Sequence, residues 1–397
     1  MDFALSPENI AFRESVRTFA ERELVEPAAE PGEDFPATAW QNAASLGLLG
    51  LTAPVPFGEG SDLLTLAVAL EEIARVFPSL AFSMGPHLVF ATGLIARHGT
   101  PSQQHHYLPD LVAGRLVGAG ALTEPDAGSD VRAIRTTARR DGSHWILNGT
   151  KTFVTNGPLA GVVIVYAVTD ESSRAVTAFI VEPGFPGFSV GPRISKLGME
   201  RSPTSELILS DCRVSDSQRL GEEGRGLSLA LGGFDIGKVV IAAIAVGIAQ
   251  RCLEASVSYA TRRVQFGQSI SAFQAIQFKL ADMKVRLDAA RLLTQRAAWL
   301  KDHGLSEPDA CAEAKLFASE AAVEAALEAI QIHGGYGYTR DLPLERFLRD
   351  SVVLRIGEGT SEIQRVIIAR TLLKSNQKID KFEMSGRLPG RVAFPKE

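Results

Sequence analysis

Apolar residues recur at helical spacing along the first part of the chain. Phe12, Val16 and Phe19 are three or four residues apart, with charged residues between them. The same period predicts further helices over residues 65–77, 86–97 and 103–112. The pattern therefore predicts an N-terminal helical domain over residues 1–115.

Short apolar runs bounded by turn residues replace the helical period after Leu116. They occupy residues 117–122, 145–154, 162–168, 176–181, 188–190 and 206–209. Asn148-Gly149 lies inside the second run and predicts a hairpin there, because both residues tolerate left-handed backbone. We expect a small β-barrel-like middle domain over residues 116–225.

The helical period returns after the middle domain and persists almost to the end of the chain. It predicts long helices over residues 227–264, 272–302, 308–333 and 360–373. Gly267, Gly304 and Gly334 are typical helix stops, and the short connections favour a four-helix bundle over residues 226–375. Residues 376–397 read as an extended polar tail. The predicted fold is mainly α with a central β domain.

Composition excludes several function classes. A net charge of −5 gives no footprint for nucleic acid or an anionic membrane, and no apolar run reaches membrane-spanning length. Three widely spaced cysteines predict buried thiols rather than disulfides or a zinc site. The first residues do not resemble a signal peptide, so we expect the cytoplasm. Adjacent His105 and His106 would splay apart on a helix, and no metal site is predicted.

One carboxylate stands out because glycines flank it. Glu358 lies between Gly357 and Gly359, where the backbone is free to turn sharply and no side chain crowds the acid. Ser361 and Gln364 have the spacing of a capping box, which predicts that a helix starts there. Taken alone, this stretch also fits an ordinary helix entry with an exposed acid.

Four other segments are rich in residues that suit ligand binding, although each alone also fits a plain turn or core strand. They are residues 122–130, 151–157, 262–267 and 331–338. The first combines small residues with hydroxyls, and the third places two arginines near a helix end. The glycine-rich dinucleotide loop, the phosphate loop, the zinc-protease helix motif and the serine-hydrolase elbow are absent from the sequence.

These segments together resemble the acyl-CoA dehydrogenase family over roughly residues 1–375. The resemblance rests on five motifs in order: Leu122-Thr-Glu-Pro-Asp-Ala-Gly-Ser-Asp130, Lys196-Leu-Gly-Met199, Arg263-x-x-Phe-Gly267, Gln331-Ile-His-Gly-Gly335 and Glu358-Gly-Thr-Ser-Glu-Ile-Gln-Arg365. It implies one non-covalent FAD per subunit, held between the β domain and the C-terminal bundle. It also implies a homotetramer, built as a dimer of dimers.

The resemblance assigns cofactor contacts residue by residue. The matching positions are Leu122, Thr123, Ser129, Phe153, Val154, Thr155, Arg263, Phe266, Gln274, Gln331, Gly334, Gly335, Thr360 and Glu362. Thr155 would lie near the flavin N5 edge, and Gln331, Gly334 and Gly335 would come from a neighbouring subunit. Arg263 suits the pyrophosphate because a guanidinium forms a planar fork of donors.

The resemblance makes Glu358 the catalytic base for α,β-dehydrogenation of an acyl-CoA thioester. Glu358 would remove the α-proton while a β-hydride goes to the flavin, and an electron-transfer flavoprotein would accept the electrons. Some members place the base where this chain has Gly237, which cannot serve. Substrate contacts are expected from Ser129, Asp235, Lys238 and Gly359.

Three positions depart from the usual family pattern. Gly357 stands where many relatives have Tyr, Lys238 where Arg is usual, and Phe153 where Trp is frequent. These changes leave open the acyl group and whether CoA or a carrier protein bears it. An oxygen-using flavin oxidase or monooxygenase of the same fold is the alternative enzyme class. A non-catalytic family relative or a helical scaffold without flavin would be a binding or assembly protein instead.

Overall fold

The computed structural model describes residues 4–30, 32–305 and 309–384, with side chains described only to residue 374 in the last helix. The N-terminal region is helical, as predicted. Its helices are α1 (Pro7–Phe19), α2 (Val25–Ala29), α3 (Ala37–Ser45), α4 (Leu63–Val76), α5 (Pro78–Pro86), α6 (Gly93–His98) and α7 (Pro101–Val112). Two π-helical turns, Ala20–Leu24 and His87–Thr92, interrupt this region.

The middle region forms one eight-stranded sheet. Its strands are β1 (Val117–Ala121), β2 (Thr137–Asp141), β3 (His144–Thr155), β4 (Ala160–Asp170), β5 (Ala175–Val181), β6 (Phe188–Arg193), β7 (Thr204–Ser215) and β8 (Arg219–Leu220). The order is β6-β7-β3-β2-β4-β5-β8, and β1 lies parallel to β4. A separate two-stranded ribbon pairs β9 (Val264–Gln265) with β10 (Gln268–Ser269).

Long helices make up the C-terminal region. They are α8 (Gly226–Arg262), α9 (Gln274–Asp302), α10 (Ala310–His333), α11 (Leu344–Val352) and α12 (Ser361–Met384). The four long helices predicted here are confirmed, and the prediction missed α11. The predicted extended conformation is wrong for residues 376–384, which continue α12, while residues 385–397 of the predicted tail lie outside the described residues.

The strand β4 separates two cores, which explains why it is apolar on both faces. Ile164 and Tyr166 face a core shared with the helices, whereas Val163 and Val165 face a second core inside the β region. The sheet is therefore packed directly on the helical regions. This contact brings β4 close to the turn that carries Glu358, because the Tyr166 hydroxyl feels the Glu358 charge.

The predicted hairpin at Asn148-Gly149 is wrong. Strand β3 runs through both residues, and the register of its pairing with β7 shifts between Leu147 and Gly149, as at a β-bulge. A Cβ on Gly149 would lie 2.4 Å from the Thr136 Oγ1 atom, so the glycine permits a close approach rather than a reversal. The actual hairpin turn contains Gly142, between β2 and β3.

Two helical stretches are long and apolar enough to cross a membrane, contrary to the expectation from the sequence. They are residues Pro78–His98 and Gly226–Arg262. However, 89% and 72% of their most apolar windows are buried inside the chain. Both therefore read as core helices.

Candidate active site

Glu358 lies in a left-handed turn between a 3-10 turn at Val353–Arg355 and the start of α12. Its φ is 59°, and that of Gly359 is 87°. A residue with a side chain adopts this backbone only when its surroundings hold it there. The turn is thus an enforced feature of the fold, and it sets the direction of the Glu358 side chain.

The helix after Glu358 is capped by Thr360, so the capping box predicted at Ser361 and Gln364 is wrong. The Thr360 Oγ1 atom accepts a hydrogen bond from the Ile363 backbone N–H at 3.3 Å. Gln364 instead turns its side-chain amide back to the Glu358 and Gly359 carbonyls, at 3.2 and 2.8 Å. This buried glutamine therefore braces the turn that carries the acid.

The Glu358 carboxylate points at helix α8. A Cβ on Gly237 would lie 2.6 Å from the Glu358 Oε2 atom, so glycine at this position leaves the space that the carboxylate fills. Among the described residues, no group hydrogen-bonds to this buried oxygen. An acceptor without a donor in a buried place is costly unless a ligand or reaction uses it.

The surroundings of Glu358 favour its neutral form. Burial raises the pKa of Glu358 to about 8, and the positive charges of Lys315 and Lys238 oppose this only in part. The buried Tyr166 hydroxyl also feels the Glu358 charge, which together with burial raises the pKa of Tyr166. A carboxyl group with a pKa near neutrality suits proton transfer.

A buried ion pair joins the first two predicted segments. The Lys151 Nζ atom, fully buried on β3, lies 2.6 Å from Glu124 Oε1 and 3.1 Å from the Leu122 carbonyl oxygen. Glu124 also accepts hydrogen bonds from the backbone of Arg135 and from Thr136. The loop after β1 and the end of β3 are consequently fixed to each other.

The side chains predicted to face the flavin ring are not all oriented alike. Phe153 is 66% exposed and has a φ of 53°, so its ring is held out of the sheet. Thr155 follows it closely in the chain and is half-buried. Thr123 is also half-buried, and its carbonyl oxygen accepts a hydrogen bond from the Thr152 backbone N–H at 2.9 Å, whereas Ser129 is exposed. The Leu122 side chain is buried in the core shared with the helices, and the Val154 side chain in the core inside the β region. A ligand could therefore contact these two residues mainly through their backbone atoms.

The loop containing Lys196-Leu-Gly-Met199 packs on helix α11. The Met199 N–H donates to Asp350 Oδ1, and a Cβ on Gly198 would lie 2.3 Å from the Arg349 carbonyl carbon. Backbone therefore packs directly on backbone here, which explains the glycine. Asp350 is fully buried, and burial raises its pKa to about 6.

The last two predicted segments line one cleft of about 670 Å³. Its lining residues include Arg263, Phe266, Gly334 and Gly335, but not Gln274 or Gln331, which are exposed nearby in the chain. Phe266 is 92% exposed, and both glycines face open space. A guanidinium, a free aromatic ring and open backbone fit a phosphate-bearing cofactor with an aromatic base.

Two of the residues expected to contact substrate, Lys238 and Gly359, lie near Glu358. Lys238 is buried, and its Nζ atom is 2.9 Å from Asp235 Oδ1, while Lys301 approaches the other oxygen at 3.1 Å. Asp235 is thus neutralised by two lysines. Gly359 adjoins the acid, whereas Thr360 caps the helix and Glu362 is exposed.

Three residues at this site escaped the sequence analysis: Lys315, Gln364 in its bracing role, and Tyr166. Lys315 and Tyr166 lie in apolar stretches of α10 and β4. A polar residue inside an apolar run was the only signal that marked them, and it does not reveal which element they contact.

Three domain models of one family match most of the chain. Residues 6–115, 119–212 and 224–373 match the acyl-CoA dehydrogenase N-terminal, middle and C-terminal domains, respectively. The chain therefore belongs to the acyl-CoA dehydrogenase family and is an oxidoreductase of that family.

Individual relatives cover nearly all of the chain. An acyl-CoA dehydrogenase of Bacillus subtilis is 44% identical over 375 residues, which are 93% of this chain and 99% of that protein. Butyryl-CoA dehydrogenase from Megasphaera elsdenii superimposes with a TM-score of 0.91 at 37% identity, over 94% of this chain and 100% of that one.

Two further solved structures bear on the cofactor and the carrier. The prolyl acyl carrier protein oxidase AnaB has a TM-score of 0.90 at 39% identity, over 93% of this chain and 100% of that one. The structure of PigA with FAD and proline has a TM-score of 0.90 at 36% identity, over 94% of this chain and 99% of that one. The family thus includes both CoA-dependent and carrier-protein-dependent enzymes.

Proposed function

We propose that this protein is an FAD-dependent acyl-CoA dehydrogenase that oxidises an acyl thioester to its trans-2-enoyl form. The observation that carries the proposal is Glu358, whose buried Oε2 atom lacks a hydrogen-bond partner among the described residues and faces Gly237. A buried carboxylate oxygen without a donor is the arrangement expected of a base that accepts a proton from a bound substrate. Burial raises its pKa to about 8, close to working pH.

FAD is the cofactor that the family and the donor set support. Phe153, Thr155 and Thr123 would hold its ring. Arg263, Phe266 and the Gly334-Gly335 backbone line one cleft of the same chain and would together hold the phosphate and adenine portion, which for the two glycines the resemblance assigns to the FAD of a neighbouring subunit. Bound there, FAD supplies the acceptor for the β-hydride. Glu358 would take the α-proton, and its backbone N–H would stabilise negative charge on the thioester oxygen. An electron-transfer flavoprotein is the proposed acceptor of the electrons.

The quaternary state is part of the proposal. Helix α9 exposes four large apolar side chains at seven-residue spacing: Phe278, Val285, Leu292 and Trp299. The buried residues Met283 and Leu287 lie on its opposite face. An exposed stripe of this kind favours packing against other copies of the chain, as a homotetramer requires.

The direct test is anaerobic addition of acyl-CoAs of graded length and branching to the flavin-loaded protein. Bleaching of the flavin absorbance by one class supports the proposal and identifies the acyl group. The similarity to AnaB gives a second candidate, a flavin oxidase acting on a carrier-protein thioester. Bleaching by an acyl-carrier protein but by no acyl-CoA, with oxygen as the acceptor, would favour that candidate. A protein that cannot be loaded with FAD would contradict both.

A further inference from the structure

Lys315 is buried in helix α10 with no exposed surface, and it reaches across to the turn that holds Glu358. Its Nζ atom donates a hydrogen bond to the Gly359 carbonyl oxygen at 2.8 Å. The Gln364 amide donates to the same oxygen, also at 2.8 Å. Two side chains from two helices thus converge on one backbone carbonyl, directly after an acid with left-handed backbone.

A buried lysine is expensive, and a single backbone carbonyl is weak compensation for its charge. Burial lowers the pKa of Lys315 to about 8, and the acids Glu358, Glu362 and Glu320 oppose that effect, whereas Arg355 adds to it. Glu362 is exposed on the solvent side of α12. Glu320 is paired with Arg365 at 2.7 Å, so Glu358 is the remaining acid that faces this charge.

The charged and titratable groups around Glu358 come from three other elements. Lys315 on α10 exerts the larger opposing charge effect, Lys238 on α8 the smaller, and the Tyr166 hydroxyl approaches from β4. Lys238 is already paired with Asp235 at 2.9 Å. Among the described residues, no carboxylate lies within ion-pair distance of Lys315, so its charge remains available to Glu358.

We propose that Lys315 is the positioning residue of this active site: it holds the Gly359 carbonyl, fixes the turn that aims Glu358 at Gly237, and provides the positive charge that keeps Glu358 able to ionise. The role rests on the proposed function of Glu358 as base. Lys315 itself touches neither the carboxylate nor a reacting atom.

The test removes the charge and the donor while keeping the length of the side chain, in Lys315→Met. Infrared titration of the flavin-loaded protein, read as the difference from Glu358→Gln, measures the Glu358 pKa without any thioester. We expect Lys315→Met to raise that pKa by about one pH unit or more, because an opposite charge nearby is lost. With a reducing thioester, flavin reduction slows by about tenfold or more even at alkaline pH, because the turn is less well fixed.

The matched control is Lys279→Met, which removes a lysine on α9 that pairs with Glu328, more than one helical turn along α10 from Lys315. It should leave the Glu358 pKa and the reduction rate at wild-type values. Lys315→Arg keeps the charge, so it should restore the Glu358 pKa to within about half a pH unit of wild type. A Lys315→Met protein with unchanged Glu358 pKa and unchanged reduction would overturn the proposal.

A double variant covers the case in which Lys315→Met does not fold. Without the lysine, the acid is left as an uncompensated buried charge, so adding Glu358→Gln should restore a folded, flavin-binding protein. Failure of the double variant as well would show that Lys315 is only a packing residue, and would contradict the proposal. The infrared titration needs no turnover. If the wild type oxidised no thioester, the proposed function would be contradicted, but the titration would still test the role of Lys315.

Discussion

Glu358 and Gly237 occupy one space from opposite sides. Any other residue at position 237 would have a Cβ atom only 2.6 Å from the Glu358 Oε2 atom, which is too close for the two atoms to coexist. The site therefore has room for one acid. Because Glu358 on the turn fills the space, position 237 must be a glycine. This explains physically why position 237 cannot carry a second base here.

We predict that Gly237→Ala slows flavin reduction by about a hundredfold while flavin stays bound, because the added methyl group displaces the carboxylate from its direction of attack. Stopped-flow absorbance under anaerobic conditions measures this rate. Gly232→Ala is the control on the same helix, since a Cβ there meets no atom within 4 Å. Equal rates for Gly237→Ala and wild type would show that the carboxylate does not depend on this space.

The raised pKa of Glu358 also predicts a pH-dependent stability. The folded protein holds this proton more tightly than the unfolded chain does, so the stabilisation is complete below about pH 4.5 and is lost as the pH rises through about 8. Glu358→Gln has no proton to lose. The unfolding free energy of Glu358→Gln relative to wild type should therefore increase by an amount on the order of 3 kcal/mol between about pH 6 and about pH 9. Melting temperatures of the two proteins across this pH range measure the increase. A difference in stability between Glu358→Gln and wild type that stays constant with pH would mean that Glu358 is ionised and well solvated in the folded protein.

At the scale of elements, long periodic segments were predictable and local exceptions were not. The helices α8, α9, α10 and α12 follow from the apolar period of the sequence alone. The Asn148-Gly149 pair has the chemistry of a turn, but pairing of β3 with β7 on both sides of it converts the turn into a bulge. Which structure forms depends on a strand more than fifty residues away, so the local sequence cannot decide.

Helix α11 and the true cap at Thr360 were missed for related reasons. Helix α11 has nine residues, four of them charged, and its buried Leu344 and Phe347 belong to the core formed with the long helices, a contact that the local sequence does not show. Ser361 and Thr360 both have capping chemistry, and the position of the Glu358 turn selects the threonine. Lys315 contacts Gly359 across 44 residues of sequence, a distance that local pattern does not reach.

The π-helical turn His87–Thr92 predicts a limit on the acyl group. Phe90 from this turn fills space left by Gly120 and Gly233, whose added Cβ atoms would lie 2.7 and 2.9 Å from it. Gly233 is one helical turn from Gly237, so the ring closes the space beyond the base. We predict that Phe90→Ala shifts the preferred acyl-CoA toward longer chains, measured as the rate of flavin reduction against chain length.

The control for this change is Phe12→Ala, which removes the same atoms from α1, where the ring packs against the core away from this turn. It is expected to lower stability without changing the preferred chain length. If Phe90→Ala reduced the rates for all chain lengths equally, the ring would be a packing residue and not a limit on length.

At the scale of the whole molecule, the apolar stripe on α9 predicts assembly. Val285 is 68% exposed and Leu292 is 47% exposed, which is costly for a chain that remains alone. The double substitution Val285→Lys, Leu292→Lys should dissociate the assembly and weaken flavin binding, as read by light scattering and flavin absorbance. Ser102→Lys, on the exposed side of α7, is the control for added charge. Retention of the wild-type mass by the double variant would place the interface elsewhere.

The three-part organisation of the chain was visible in the sequence because the apolar period changes twice. The assembly of the site from these parts was not visible, because Glu358, Gly237, Lys315 and Tyr166 come from four elements and meet only in the packed core. The resemblance to the family supplied Glu358 as the proposed base and the proposed cofactor residues. It did not reveal the contacts that hold the base, since these depend on the packing of α10 against α12.

The most direct test of the account compares wild type and Glu358→Gln in anaerobic single-turnover reduction, with the acyl thioester that bleaches the wild-type flavin. The account predicts that the wild-type rate rises with pH through a midpoint near 8. Glu358→Gln should keep its flavin and bind the thioester, yet reduce at least about a thousandfold more slowly at every pH. A Glu358→Gln rate within about tenfold of wild type would show that another group removes the proton, and Glu358 would no longer be the base.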